Sequence, residues 1–252
     1  VERAIVVGPD WVAASARARA IAYRRVGAGG CARISSAPTL GAALALLTDT
    51  VYGTLLAGAP TLEAAQEAVS ASVLWELRVL AGWMPVTGAP LARALAGGFE
   101  LRNIVARAQQ LRGVETTVAM FDLGALSTGW TQLKETGSFD ELISTLGRAG
   151  WGDPGHPQTG GELADGLEVL WLRRLCAVVP SMRSWAAAAA ALLAARIVLV
   201  DHTEPSERLV ALMRTLVGAT WMRAGDFGQL ASELPASVRS TIVDTEDPSN
   251  LW

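Results

Sequence analysis

Ser138-Phe-Asp-Glu-Leu-Ile-Ser-Thr-Leu-Gly-Arg-Ala-Gly-Trp-Gly152 states the architecture of this chain in miniature. Ser138 can accept a hydrogen bond from a free first-turn N–H, and Glu141 three residues on completes a capping box. Phe139, Leu142 and Leu146 follow at helical spacing, and Gly150-Trp-Gly152 ends the element. The same offsets occur earlier: Thr39-Leu40, then Ala43, Leu47 and Tyr52-Gly53. A third copy, Asp226-Phe227 with Leu230 and Leu234, keeps the cap and the spacing, and Pro235 follows where the other copies continue toward an aromatic–glycine pair. Any short amphipathic helix reads as a cap followed by apolar residues. Two aromatic–glycine endings at one distance point further, to an internal repeat.

Outward from these units the periodicity stays helical. Ala and Leu dominate, apolar residues recur three and four apart, and no segment alternates, so the fold class is all-α. Helices are expected at Trp11–Val26, Thr39–Leu47, Leu62–Trp83, Pro90–Arg112, Leu123–Lys134, Phe139–Ala149, Glu162–Val178, Met182–Val200, Glu204–Arg223, Phe227–Leu234 and Pro235–Val243. Asp10, Thr61, Ser138, Ser181 and Thr203 are the expected caps. The breaker-rich stretch from Gly150 to Gly161 reads as a linker, and Gly27 to Pro38 as a weaker break.

With 252 residues, 51% of them hydrophobic and 18% charged, the chain can build a large core and still place apolar surface at an interface. The apolar run Trp185–Ala195 stops at Arg196, short of the roughly 18 residues a bilayer requires, so no membrane-spanning helix is expected. No basic segment leads into an apolar stretch at the start, so no secretory signal is expected. Two cysteines, Cys31 and Cys176, make neither a disulfide framework nor a zinc motif and fit a cytoplasmic setting. A net charge of −3 with scattered arginines favours a protein partner over nucleic acid.

Catalytic and cofactor motifs do not assemble. Ala4–Gly8 resembles a first Rossmann strand without G-x-G-x-x-G, and Gly27-Ala-Gly-Gly30 lacks the Gly-Lys-Ser/Thr of a phosphate loop. His156 and His202 have no second ligand at metal spacing. No G-x-S-x-G elbow occurs, and Glu162, Asp165 and Glu168 share helix spacing near a helix start, where they read as acids that serve the helix dipole and solubility. Asp244, Glu246 and Asp247 read as a solvated tail. No catalytic residue, cofactor or metal is therefore expected. Trp75, Trp171 and Trp221 are expected in the core, and Trp151 and Trp185 at a partner-facing edge.

Three stretches carry a resemblance. Thr48-Asp-Thr-Val-Tyr-Gly53 lies between a short and a long helix, Glu100-Leu-Arg-Asn103 is followed by Arg107 and Gly113, and Phe121-Asp-Leu-Gly-Ala-Leu leads to Ser138 and Gly150-Trp-Gly152. In this order they resemble the C subunit (subunit d) family of V/A-type rotary ATPases, over about residues 10–240. The acid of the family's Asp-x-x-Asn step is Glu100 here, the following arginine is displaced to Arg107, and Pro-Gly-Gly is reduced to Leu123-Gly-Ala125. The resemblance implies a funnel of three similar helical lobes, divided at 1–113, 114–200 and 201–252. It also implies a non-catalytic, cytoplasmic central-stalk subunit that touches the membrane only through the c-ring and receives the rotary shaft. Tyr52, Gly53, Glu100, Asn103, Arg107, Trp151 and Gly152 would be its motif residues. Arg102, Arg107, Arg173, Arg174 and Trp185 are candidates for partner contact. The alternative is a helical ligand-binding or regulatory domain that dimerises as a bundle, suggested by the Ala-rich helices.

Overall fold

Thr61, Thr159 and Ser206 each turn a side-chain oxygen to an N–H three residues on and so begin the helices Leu62–Trp83, Gly160–Val178 and Glu207–Val217. The structure, a computed structural model, describes residues 8–56, 58–59, 61–116 and 119–243. The Ala4–Val7 segment and the acidic tail from Asp244 lie outside them. Among the described residues every regular element is helical and none is a strand.

The chain forms two compact units, Val1–Phe99 with Phe121–Leu126, and Glu100–Met120 with Ser127–Trp252. In the first unit lie α1 (Pro9–Tyr23), α2 (Gly27–Ser35), α3 (Leu40–Ala45), α4 (Gly53–Leu56) and α5 (Leu62–Trp83). α6 (Ala89–Leu111) begins there and passes into the second unit at Glu100. The second unit continues with α7 (Trp130–Leu133), α8 (Phe139–Arg148), α9 (Gly160–Val178), α10 (Arg183–Ala195), α11 (Glu207–Val217), α12 (Phe227–Glu233) and α13 (Ala236–Val243).

The core of the first unit gathers Leu47, Leu56 and Ala65, with Val26, Ile34, Leu40 and Tyr52 packed around them. Gly27 to Pro38, expected as a break, is helical as far as Ser35. Val26 and Ile34 pack on that core, and Gly30 is buried so closely that an added Cβ would sit 2.1 Å from a Val26 methyl. Tertiary packing overrides the poor helix propensity of glycine at this point.

Two cores build the second unit and α9 serves both. Its Leu163 and Leu167 join Ile104, Leu133, Leu142, Leu146 and Trp151, while Val169, Leu172 and Cys176 join the core of α10, α11, α12 and α13. The Gly150–Gly161 stretch lies within this unit, where Asp153 and Arg208 form an ion pair and Pro154 packs on Gly166.

α10 and the turn after it cover the expected helix Met182–Val200, past Arg196 where the apolar run stops. The helix continues as one wide turn, Arg196–Val200, closed by the Asp201 N–H on the Arg196 carbonyl at 2.8 Å. From Pro180 to Val200 it is, by length and composition alone, long and apolar enough to cross a membrane. Its Ala186, Ala190, Ala191 and Ala194 are fully buried in the core of the second unit, and Arg196 pairs with Asp165. α11 is shorter than expected, running from its Ser206 cap to Gly218 at φ +82°. Thr203 does not cap it but bonds back to Ile197; Ser181 lies inside a 3₁₀ turn, and Asp10 is in the first turn of α1 behind Gly8.

Candidate functional site

One backbone motif recurs among the described residues, at Leu56–Ala64 as well, where the Leu56 carbonyl accepts from Ala59 at 3.0 Å and Thr61 from Ala64 at 3.2 Å, and three copies of it lead on to a buried leucine. Ile34, Leu133 and Trp221 each offer a carbonyl to the N–H three residues later, at 3.1, 3.3 and 3.2 Å. Two residues beyond that donor the chain turns extended at Thr39, Ser138 and Asp226, whose φ values are −143°, −144° and −151°. Each of these side chains caps a short helix by accepting from Ala42, Glu141 or Gln229 at 3.1, 3.2 and 2.8 Å. A leucine thirteen residues after the first carbonyl, at Leu47, Leu146 and Leu234, is buried each time.

The second and third copies agree most closely. Gly137 donates to the Glu141 carboxylate at 2.8 Å and Gly225 to the Gln229 amide oxygen at 2.9 Å, so both close a full capping box. Ser144 and Ser232 bond back to the carbonyls of Glu141 and Gln229. The aromatic–glycine endings, in contrast, differ in conformation. Gly152 turns at φ +98° after a buried Trp151, whereas Gly53 starts α4 beneath a half-buried Tyr52. The repeat resides in the capped turn rather than in the aromatic pair.

Glu100 fixes the approach to the second copy. It is fully buried, and its carboxylate accepts from the N–H groups of Thr128, Gly129 and Trp130 at 2.7, 2.6 and 2.6 Å, and from the Ser127 hydroxyl at 3.4 Å. These are charge-assisted bonds to the orphan donors that start α7. They explain why Leu123–Lys134, expected as one helix, is instead a 3₁₀ turn at Gly124–Leu126 followed by the short α7. Gly129 is required here, because a Cβ would sit 2.5 Å from the Ala149 carbonyl oxygen.

Arg174 closes the same site from α9. Its guanidinium lies 4.8 Å from the centre of the Trp151 ring and donates to Thr128 Oγ1 at 3.3 Å and to the Gly150 carbonyl. Burial lowers its pKa, and the Glu100 charge works against that shift. Arg107 donates to the Thr136 carbonyl at 2.5 Å, at the start of the second cap, and Asn103 is buried on the same helix. The sequence-derived residues Glu100, Asn103, Arg107, Trp151, Gly152 and Arg174 thus belong to one unit, and Glu100 and Arg174 meet at Thr128, with the Trp151 ring beside the Arg174 guanidinium. A carboxylate with this many donors already on it holds backbone in place. Thr128 and Gly129 were not singled out in the sequence, where only the glycine hinted at a close approach.

Other expected residues lie elsewhere. Tyr52 and Gly53 belong to the first unit, Arg102 and Arg173 are exposed, and Trp185 is about half exposed (47%) with its ring 5.9 Å from that of Trp171. Trp151 was expected to face a partner but is buried at 2% exposure, since its ring fills the core under α8. Trp75, expected in the core, is 59% exposed, and Arg78 lies over its ring. Trp221 is fully buried as expected, and Trp171 is half-buried.

A second ionic cluster joins Asp165 and Glu168 of α9 to Arg196, which also approaches Asp201 at 3.7 Å. Burial raises the pKa of Asp165 and of Glu168, with Arg196 opposing the shift at both. Of the acids expected to serve the helix dipole and solubility, only Glu162 lies in the first turn, and Asp165 and Glu168 are partly buried near Arg196. Among the described residues no group of three or more His, Cys, Asp or Glu side chains could hold a metal ion. No protein-family model matches the chain, and comparison with curated proteins and with solved structures gives no match.

Proposed function

We propose that this chain is a non-catalytic central-stalk subunit of a V/A-type, proton- or sodium-translocating rotary ATPase, coupling the rotary shaft to the membrane c-ring. The observation that carries the reading is the capped turn that ends on a buried leucine, found three times among the described residues, at Ile34–Leu47, Leu133–Leu146 and Trp221–Leu234, with matched hydrogen bonds made by different side chains. Repetition of one stiff unit suits a part whose task is to transmit force. A three-lobed funnel is the arrangement this reading calls for, with the c-ring on one side and the shaft in its open end.

The Glu100 network supports the same reading. It spends a buried charge on locking a turn between helices, as a torque-bearing wall requires. Trp75, Trp83 and Val86 of the first unit are 59%, 53% and 92% exposed, and large apolar side chains left in solvent suit a broad protein interface. The protein would then act from the cytoplasmic face and meet the membrane only through the ring.

Co-expression with the shaft subunits and c-ring of a rotary ATPase from the same genome tests the proposal. Co-purification of the chain as a stoichiometric component is the expected result. Failure to co-purify with either one, while the folded chain is recovered alone, would end the reading.

A further inference from the structure

The three copies of the capped turn need the same backbone, so positions where they differ are free of the scaffold's demands. One such position directly precedes the first carbonyl of each copy and holds Arg33, Gln132 and Thr220. Arg33 lines an open groove of about 390 Å³ in the first unit, together with Arg24, Arg25, Gly30, Asp49 and Thr50. The arginines are not scattered here: residues 11–48 contain Arg17, Arg19, Arg24, Arg25 and Arg33 and no acid.

The guanidinium groups of the groove have unequal commitments. Arg24 is paired with Glu76 at 2.8 Å, which also draws Arg17 to 4.0 Å. Arg25 uses only its Nε, on the Ala22 carbonyl at 3.3 Å. Arg33 has no partner among the described residues beyond its approach to Gly30, where an added Cβ would lie 3.8 Å from its Nη2. The Thr50 hydroxyl is already given to the Leu47 carbonyl at 2.6 Å. Among the described residues Asp49 is the single carboxylate lining the groove, against three arginines.

We infer that this groove is an anion site that takes a phosphate group, through Arg25 and Arg33. Each arginine offers a planar fork of donors, and a phosphate presents three oxygens and up to two charges, enough to engage both forks at once. A lone carboxylate has two oxygens and one charge and fills only one fork. The groove holds about 390 Å³ and carries Asp49 beside its arginines, which suits a terminal phosphate or pyrophosphate rather than the long diester track of a nucleic acid. That phosphate could be carried by a small soluble molecule or by a lipid headgroup.

Calorimetric titration of the full chain with inorganic pyrophosphate, and co-sedimentation with vesicles of phosphatidylcholine containing phosphatidic acid, test the site and separate its two sources. Saturable binding in either arm is expected, weakened about tenfold or more in the Arg25→Gln/Arg33→Gln double variant. Asp49→Asn should tighten it about threefold, and Arg223→Gln, a surface charge in the third copy, should leave it unchanged. Binding of pyrophosphate assigns a soluble ligand; binding of vesicles alone assigns a lipid headgroup. Absence of binding in both arms, or an equal loss in Arg223→Gln, overturns the inference. All four positions are exposed, and circular dichroism checks that each variant remains folded.

Discussion

Replacing Glu100 removes the acceptor for three backbone N–H groups, of which that of Trp130 has a second acceptor in the Ser127 hydroxyl at 3.0 Å. The bonds are short, at 2.6 to 2.7 Å, and the residue is fully buried. Bonds to a charged group contribute about 1.5–3 kcal/mol each, so three of them give a gross stabilisation of about 4.5–9 kcal/mol. Burying the carboxylate costs several kcal/mol in return, partly offset by the nearby Arg174 cation. Glu100→Gln keeps one oxygen but turns an amide N–H₂ toward donors, and a loss of about 2–3 kcal/mol is expected. Glu100→Ala leaves the Thr128 and Gly129 donors unsatisfied and the Trp130 N–H with the Ser127 hydroxyl alone, and should lose about 4 kcal/mol. Urea unfolding of the purified protein, followed by far-UV circular dichroism and tryptophan fluorescence, measures both. Trp130 and Trp151 report on the affected unit. Losses below about 0.5 kcal/mol for both variants would refute the clamp, because a surface substitution does no more than that.

Four further outcomes follow from the same geometry. Ser138→Ala and Asp226→Ala should each lose about 1 kcal/mol in urea unfolding, as equivalent caps must, and unequal losses differing by more than about 2 kcal/mol would deny the equivalence. Gly129→Ala drives a Cβ to 2.5 Å from the Ala149 carbonyl and should cost at least about 2 kcal/mol; a neutral result would place that turn wrongly. Asp165 and Glu168 have raised pKa values, so the folded state binds protons more tightly than the unfolded chain does. Their contribution is greatest below the unfolded pKa, near about pH 4, and is lost as pH rises through the folded values. The Asp165→Asn/Glu168→Gln variant should therefore gain stability relative to wild type as pH rises across that window; a constant difference would count against it. Trp75→Ser and Trp83→Ser should leave the unfolding midpoint within about 0.5 kcal/mol of wild type, which differential measurements would check, while a core role would cost several times more.

Local signals in the sequence were read well where a side chain bonds its own neighbourhood. Ser138 with Glu141, Thr61 and the leucines of the short helices needed nothing beyond the spacing along the chain. What failed depended on partners distant in sequence. α2 is helical despite its glycines because Val26 and Ile34 find a core contributed by Leu47, Leu56 and Ala65. The expected helix Leu123–Lys134 is broken because Glu100 takes the N–H groups at its centre from 28 to 30 residues away. Trp75 and Trp151 exchanged roles for a similar reason, since an apolar stripe does not say which face another helix covers. The repeat itself was visible, but its strongest pairing, Leu133–Leu146 with Trp221–Leu234, was masked by Ser against Asp and Leu against Trp at equivalent positions. Hydrogen bonds reveal that equivalence where residue identity does not.

Whether the molecule is a mechanical adaptor is best decided by the affinity of the purified chain for the shaft subunits, measured by biolayer interferometry beside its Trp75→Ser/Trp83→Ser variant. The account predicts saturable, one-to-one binding with a Kd of about 1 μM or tighter, and weakening of about tenfold or more in the variant. Absence of saturation at about 100 μM, with the chain folded throughout, would contradict it.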